Sequence, residues 1–305
     1  MPVGRTLGAL VSVALNVAVS FVPASTMQAA DPPGTAKPAT DHRGPPARQG
    51  SSSASAPAEK PAVPDIGCQL GCCNSALISA RCGSTALAAA LPPYAPTARY
   101  EVRQLRGWRV LVHQDLLQRE PALCAQTLEL LDHHLYDIVR HVPAAALDKL
   151  RQIAIWVELD EPHHKCMAFH PDAGWLREHD MNPEKAGGIE IANARNFLRW
   201  TLDQPAMVLH ELAHGYHHRF LERGFDNPAV LAAYRHAQDA KLYEAVLRRG
   251  NCVERAYAAT NPMEYFAETS ESLFGTNDFY PFVIVELQRH DPQMYELLKK
   301  LWGVK

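Results

Sequence analysis

Nowhere does the chain gather lysine and arginine into a basic patch. Its 30 basic and 33 acidic side chains leave a formal net charge of −3, which argues against nucleic acid as a partner. Long hydrophobic runs are missing too. The one extended apolar run, residues 7–22, is about 16 residues, short of the ~20 that a bilayer-spanning helix needs. No stable membrane span is therefore expected. The sequence has no internal repeat. Residues 31–65 have no aromatic side chain and no leucine, isoleucine or methionine, against eight prolines. Such a segment cannot bury enough apolar surface to offset its ordering entropy, and it is expected to be a disordered linker.

What is present begins with a secretory pattern. Arg5 precedes the apolar run, Pro23 ends it, and small residues follow, with cleavage expected after Ala24 or Ala30. Residues 1–30 thus read as a signal peptide, and the protein as secreted or periplasmic. No cysteine stands directly after the run, so a lipid anchor is not indicated. Seven cysteines follow it, at 68, 72, 73, 82, 124, 166 and 252, and outside the cytoplasm they are expected to be mostly oxidised. An odd count leaves one over, and the pairing is not readable. The C-x3-C-C-x8-C cluster matches no common zinc finger, so residues 66–97 read as a segment stapled by local disulfides. Oligomeric state is not legible.

Residues 98–305 are the expected catalytic domain. Residues 100–104 and 108–113 read as strands around an Arg106-Gly107 turn, residues 121–142 as an amphipathic helix, and residues 153–159 as a central strand. Residues 160–185 read as a polar loop. Gly188, Ile189, Glu190, Ile191 and Ala192 alternate and read as an edge strand. From residue 203 onward the pattern is helical: 228–247 with a break, 262–274, 282–288 and 292–302. Strands first and helices after is the α+β order.

One stretch carries chemistry. His210-Glu211-Leu212-Ala213-His214 is an H-E-x-x-H sequence inside an apolar segment. Four residues is just over one helical turn, so the two imidazoles project from one face and can share a zinc ion. Glu211 beside them is placed to act as the base for a zinc-activated water. The third ligand is not His218, because eight residues along a helix is about 12 Å. Nor is it the third histidine of the longer H-E-x-x-H-x-x-G-x-x-H motif, since His217 and Phe220 occupy its last two fixed positions. A carboxylate from a later helix remains. Glu264 and Glu268, again four apart, share a face. One could bind zinc while the other accepts the N–H of a ligand histidine. Glu264 could instead complete a capping box behind Asn261.

This pairing of His210-Glu211-x-x-His214 with Glu264-Tyr265-Phe266-Ala267-Glu268 some fifty residues on resembles the gluzincin metallopeptidases, in particular the catalytic domain of the anthrax lethal factor type. The resemblance implies a zincin-like fold with Glu264 as third ligand and Glu268 as its outer partner. It also implies that Tyr257, seven residues before Glu264, faces the metal and donates to the oxyanion or leaving group. The expected activity is zinc-dependent hydrolysis of a protein or peptide substrate, with the strand at Gly188, Ile189, Glu190 and Ile191 pairing with it. A catalytically silent zinc- or peptide-binding relative and a cell-wall peptide amidase are the competing readings. His163, His164, Cys166 and His170 read as solvated loop residues plus one disulfide cysteine. Residues 277–282 read as an aromatic loop locking the last helices onto the core.

Overall fold

The computed structural model describes residues 92–305. The expected signal peptide, the expected linker and nearly all of the expected disulfide-stapled segment lie outside the described residues. Strands β1 (Tyr100–Leu105) and β2 (Trp108–His113) form an antiparallel hairpin. Its two turn residues, Arg106 and Gly107, have φ of 50° and 96°. Two successive left-handed residues suit the twist of the strands they join. At 107 the positive φ itself favours glycine, since side-chain-bearing residues rarely adopt it.

Three helices follow: α1 (Gln114–Arg119), α2 (Pro121–His141) and α3 (Ala144–Leu150). The chain then passes through β3 (Ile155–Val157), β4 (Met167–Phe169), α4 (Ala173–Glu178), β5 (Ile189–Ile191) and α5 (Ala194–Trp200). Beyond α6 (Met207–Phe220) and α7 (Pro228–Asp239) stands a second hairpin, β6 (Val246–Arg248) and β7 (Cys252–Glu254). Helices α8 (Pro262–Phe274), α9 (Ile284–His290) and α10 (Pro292–Trp302) close the chain.

The larger sheet has the order β1-β2-β3-β5-β4, so β3 is its central strand. β2, β3 and β5 run parallel, while β1 and β4 are antiparallel to their neighbours. One face offers Val110, Val112, Ile155, Val157, Ile189 and Ile191 to a core shared with α2, α6 and α8. Burying this layer stabilises the fold by about 25 cal/mol for each Å2 of apolar surface removed from water. Among the described residues no helix is long and apolar enough to cross a membrane.

Four expectations change. The strand of Ile189, Glu190 and Ile191 is not an edge, because β3 and β4 flank it on both sides. Its alternation reflects something else: Glu190 is fully buried on the second face of the sheet, paired with Lys185 and His170. Gly188 cannot take a side chain there, since a Cβ would meet the Ala154 carbonyl oxygen at 2.9 Å. The expected polar loop at 160–185 contains β4 and α4, and β4 is the real edge. The expected helix at 228–247 stops at Asp239 and yields to the β6–β7 hairpin. Finally, the three cysteines among the described residues, Cys124, Cys166 and Cys252, form no disulfide; the first two are buried.

Candidate metal centre

Helix α6 is apolar on most sides. Val208, Leu209, Leu212, Ala213 and Tyr216 are buried, and they fix the helix against the sheet and its neighbouring helices. What remains, His210, Glu211 and His214, faces a cleft of about 420 Å3. Opposite runs α8. Its start is set by Asn261, whose side-chain oxygen accepts from the N–H groups of Met263 and Glu264, with Pro262 in the first turn. Glu264 does not return to cap the helix. Its carboxylate turns to the two histidines.

The three side chains meet closely. His210 Nε2 and His214 Nε2 are 3.0 Å apart, and Glu264 Oε2 lies 3.0 Å from the first and 3.2 Å from the second. A tetrahedral zinc with bonds of about 2.0–2.1 Å separates its ligand atoms by about 3.3 Å, so the donor set fits the ion in type and spacing. The tautomer fits as well. His210 Nδ1 lies 2.6 Å from Glu271 Oε1. With that nitrogen donating to the carboxylate, Nε2 keeps its lone pair for a metal. Three lone-pair atoms drawn this close repel one another unless a cation lies among them.

Glu271 is the residue that the sequence reading missed. Glu268 was expected to accept the histidine N–H, but its nearest oxygen is 3.8 Å from His210 Nδ1, too far for a hydrogen bond. Residues 264, 268 and 271 all fall on one face of α8, at i, i+4 and i+7. The further spacing was available in the sequence, but helical geometry alone does not say which of two carboxylates a ring nitrogen reaches. Glu268 and Glu271 both have raised pKa values, chiefly from burial, with mutual charge adding to it for Glu268 and His210 opposing it for Glu271. Burial also works against the ionised form of Glu264, but in the metal-free protein the imidazoles of His210 and His214, when protonated at Nε2, donate to it and hold that carboxyl well below the usual range.

Glu211 is half-buried on the cleft wall, and among the described residues no side chain hydrogen-bonds to it. It is therefore free to accept a proton from whatever occupies the cleft. Tyr257 stands on a short helical turn ahead of α8, about half exposed, with its ring 6.3 Å from that of His210. Burial and the nearby Glu264 raise its pKa, so the phenol stays protonated and can donate. The remaining α6 histidines take no part. His217 is fully buried between Phe266 and Phe225, and His218 packs on Phe169 and Phe225.

The other expected site residues lie apart from the cleft or differ from expectation. Ile189 and Ile191 face the core, and Glu190 faces the opposite layer. His170 is buried against Glu190 at 2.6 Å rather than solvated, and Cys166 is buried against Met207 Sδ at 3.4 Å. Residues 277–282 do lock the fold: Ser272 Oγ donates to the Pro281 carbonyl, and Asn277 Nδ2 donates to that of Glu268. Asp278 from this loop also reaches the cleft.

No family model matches the chain, and no curated protein matches it. Among solved structures it is similar to the Pro-Pro endopeptidase PPEP-2 of Paenibacillus alvei, at 17% identity. The match covers 58% of this chain and 90% of that one, with a TM-score of 0.34. A likeness of that degree is too slight to assign fold or activity. The functional reading rests on the residues.

Proposed function

We propose that this chain is an extracytoplasmic zinc metallopeptidase of the gluzincin type. The convergence of His210 Nε2, His214 Nε2 and Glu264 Oε2 beside an untethered Glu211 supports it most directly. These three residues would hold the ion, with Glu271 behind His210. Zinc, when bound, supplies a Lewis acid that polarises a carbonyl and brings the pKa of water toward neutrality. Glu211 then takes the proton of the attacking water and delivers it to the leaving amine. Tyr257 donates its phenolic hydrogen to the developing oxyanion.

The free edge for substrate is β4. Cys166 and His170 bond inward to Ala192 and Gly188, which makes Cys166, Ala168 and His170 the hydrogen-bonded positions of the β4–β5 ladder. In an antiparallel pair these positions alternate. The N–H and C=O groups of Met167 and Phe169 therefore point outward, along the cleft that both residues line. An extended peptide can pair with them as an added strand. The export signal read at residues 1–30 supports action outside the cytoplasm.

Metal analysis combined with cleavage of a peptide library, wild type against Glu211→Gln, tests this reading. Stoichiometric zinc in both proteins and cleavage by the wild type alone is the expected result. Zinc without cleavage by the wild type sinks the peptidase reading, and absence of zinc sinks the site.

A further inference from the structure

The two ends of the cleft differ, and the packing of β4 on α6 gives them a direction. Just ahead of β4, Cys166 Sγ lies 3.4 Å from Met207 Sδ, in the first turn of α6. At the other end of the strand, the Phe169 ring packs on that of His218, in the last turn of the helix, with centroids 5.6 Å apart. β4 therefore runs in the same direction as α6, with His210 and His214 between the two contacts. Antiparallel pairing is the slightly more stable kind. A peptide strand added antiparallel to β4 thus has its residues before the scissile bond at the Phe169 end, and those after it at the Met207 end.

A second ring walls the Phe169 end. Phe225 lies on the short turn Gly224–Asp226 that follows α6. Its ring stands at 90° to that of Phe169, with centroids 6.3 Å apart, and 4.9 Å from that of His218. His218 continues the row of His210 and His214, about 6 Å beyond the latter, so Phe225 lies one helical turn from the candidate metal centre. The chain reaches this position through two successive left-handed residues, Arg223 and Gly224, with φ of 62° and 55°. That conformation is disfavoured for a residue such as Arg223. The turn is also fastened. The Gly224 N–H donates to the Leu221 carbonyl at 3.0 Å, and Asn227 Nδ2 to that of Glu222 at 3.0 Å. Yet Phe225 and Phe169 are only half-buried, and both line the cleft. A strained, fastened turn that sets a ring part-way into a cleft points to a ligand for that ring.

We propose that Phe169 and Phe225 bind an aromatic side chain of the peptide substrate, from a residue on the N-terminal side of the scissile bond. The proposal rests on the peptidase reading and adds the class of peptide. A guest ring buries apolar surface there. Against two rings at right angles it can lie stacked on one and edge-on to the other, the two arrangements that aromatic rings favour.

The test uses zinc-loaded full chain and peptides that differ only by Phe, Leu or Ala at single positions on either side of the cut found in the library. At one position before the cut, kcat/KM should rise at least about tenfold from Ala to Phe, by burial of apolar surface. From Leu to Phe it should rise about threefold to tenfold, by the ring contacts. Phe225→Leu should bring the Phe-to-Leu ratio toward unity, with Phe169→Leu as a second variant if the first does not fold. Wild-type cleavage without a preference for Phe over both Leu and Ala before the cut overturns the proposal. So does a preference confined to positions after the cut. A preference that survives both substitutions overturns its assignment to these rings. If no library peptide is cut, fluorescence anisotropy of labelled peptide pairs differing only by Phe or Ala decides. Tighter binding of the Phe peptide that Phe225→Leu weakens supports the aromatic wall while the peptidase reading fails, and equal binding of the pair overturns it.

Discussion

His210 Nδ1 lies 2.6 Å from Glu271 Oε1, seven residues along α8 from Glu264, and this contact decides which ring nitrogen faces the cleft. Both ends of one imidazole are thereby tied to one helix. Glu271→Gln should weaken zinc binding by about 10–100-fold, as loss of a carboxylate behind a ligand histidine does. Glu268→Gln, at 3.8 Å, should cost less. Competition with a chelator of known affinity measures both. An equal or reversed order would show that Glu268 is the partner after all.

The buried pairs behind the sheet make a separate prediction. Lys185 Nζ donates to Glu158 Oε1 at 2.7 Å and also to Glu190, and its side chain is 4% exposed. Tyr100 adds a hydrogen bond to Glu158, and His170 one to Glu190. Lys185→Met removes the ammonium shared by these two buried carboxylates. Leaving such a charge uncompensated costs about 3–5 kcal/mol. Urea denaturation reads the loss directly, and a change under 1 kcal/mol would mean that water enters this layer.

Much of this was legible in the sequence, for definite reasons. Helices α8 and α10 fall at their expected bounds because Asn261-Pro262 and Asp291-Pro292 supply a capping side chain and a first-turn proline. The β1–β2 hairpin followed from Arg106-Gly107. The sites of failure are equally physical. β4 and β5 are three residues long, too short for periodicity to separate an edge from an interior strand. Glu190 looked like the solvent side of an alternating strand because a sequence does not show that Lys185 folds back onto it. His210 and His214 share a face because their spacing is local; spacing leaves Glu264 and Glu268 open, and only the family resemblance singles out Glu264, which the structure brings to the two histidines. The choice between Glu268 and Glu271 depends on how two helices pack, and spacing does not hold that information.

Buried histidines give the protein an acid-sensitive stability. His217 is fully buried with neither ring nitrogen hydrogen-bonded, and burial pushes its pKa down to about 3. Between that value and the ordinary 6.5 the unfolded chain binds a proton here and the folded chain does not. The stability linked to this residue is therefore complete above pH 6.5 and declines as pH falls, by about 1.4 kcal/mol per unit. His217→Leu removes the titrating group while keeping an apolar fill. In a pH series from 7 to 4.5, the difference in unfolding free energy between the two proteins should shift in favour of the variant as pH falls. Loss of metal on acidification affects both and cancels in the difference. A flat difference would mean that His217 is reached by water.

The outward main chain of β4 makes the last prediction. Met167 and Phe169 present their N–H and C=O groups to the cleft, whereas Ala168 is committed to Glu190 in the ladder. A peptide lying antiparallel to this edge would exchange main-chain hydrogen bonds with those two residues, each worth about 0.5–1.5 kcal/mol net. Replacing one substrate amide by an ester removes a single N–H and leaves the side chains in place. Esters placed at successive positions should alternate in effect, raising KM by about threefold to tenfold at every second position. Since these bonds are made equally in the bound substrate and in the transition state, kcat should change little. An effect at every position, or at none, would show that the substrate does not lie along β4.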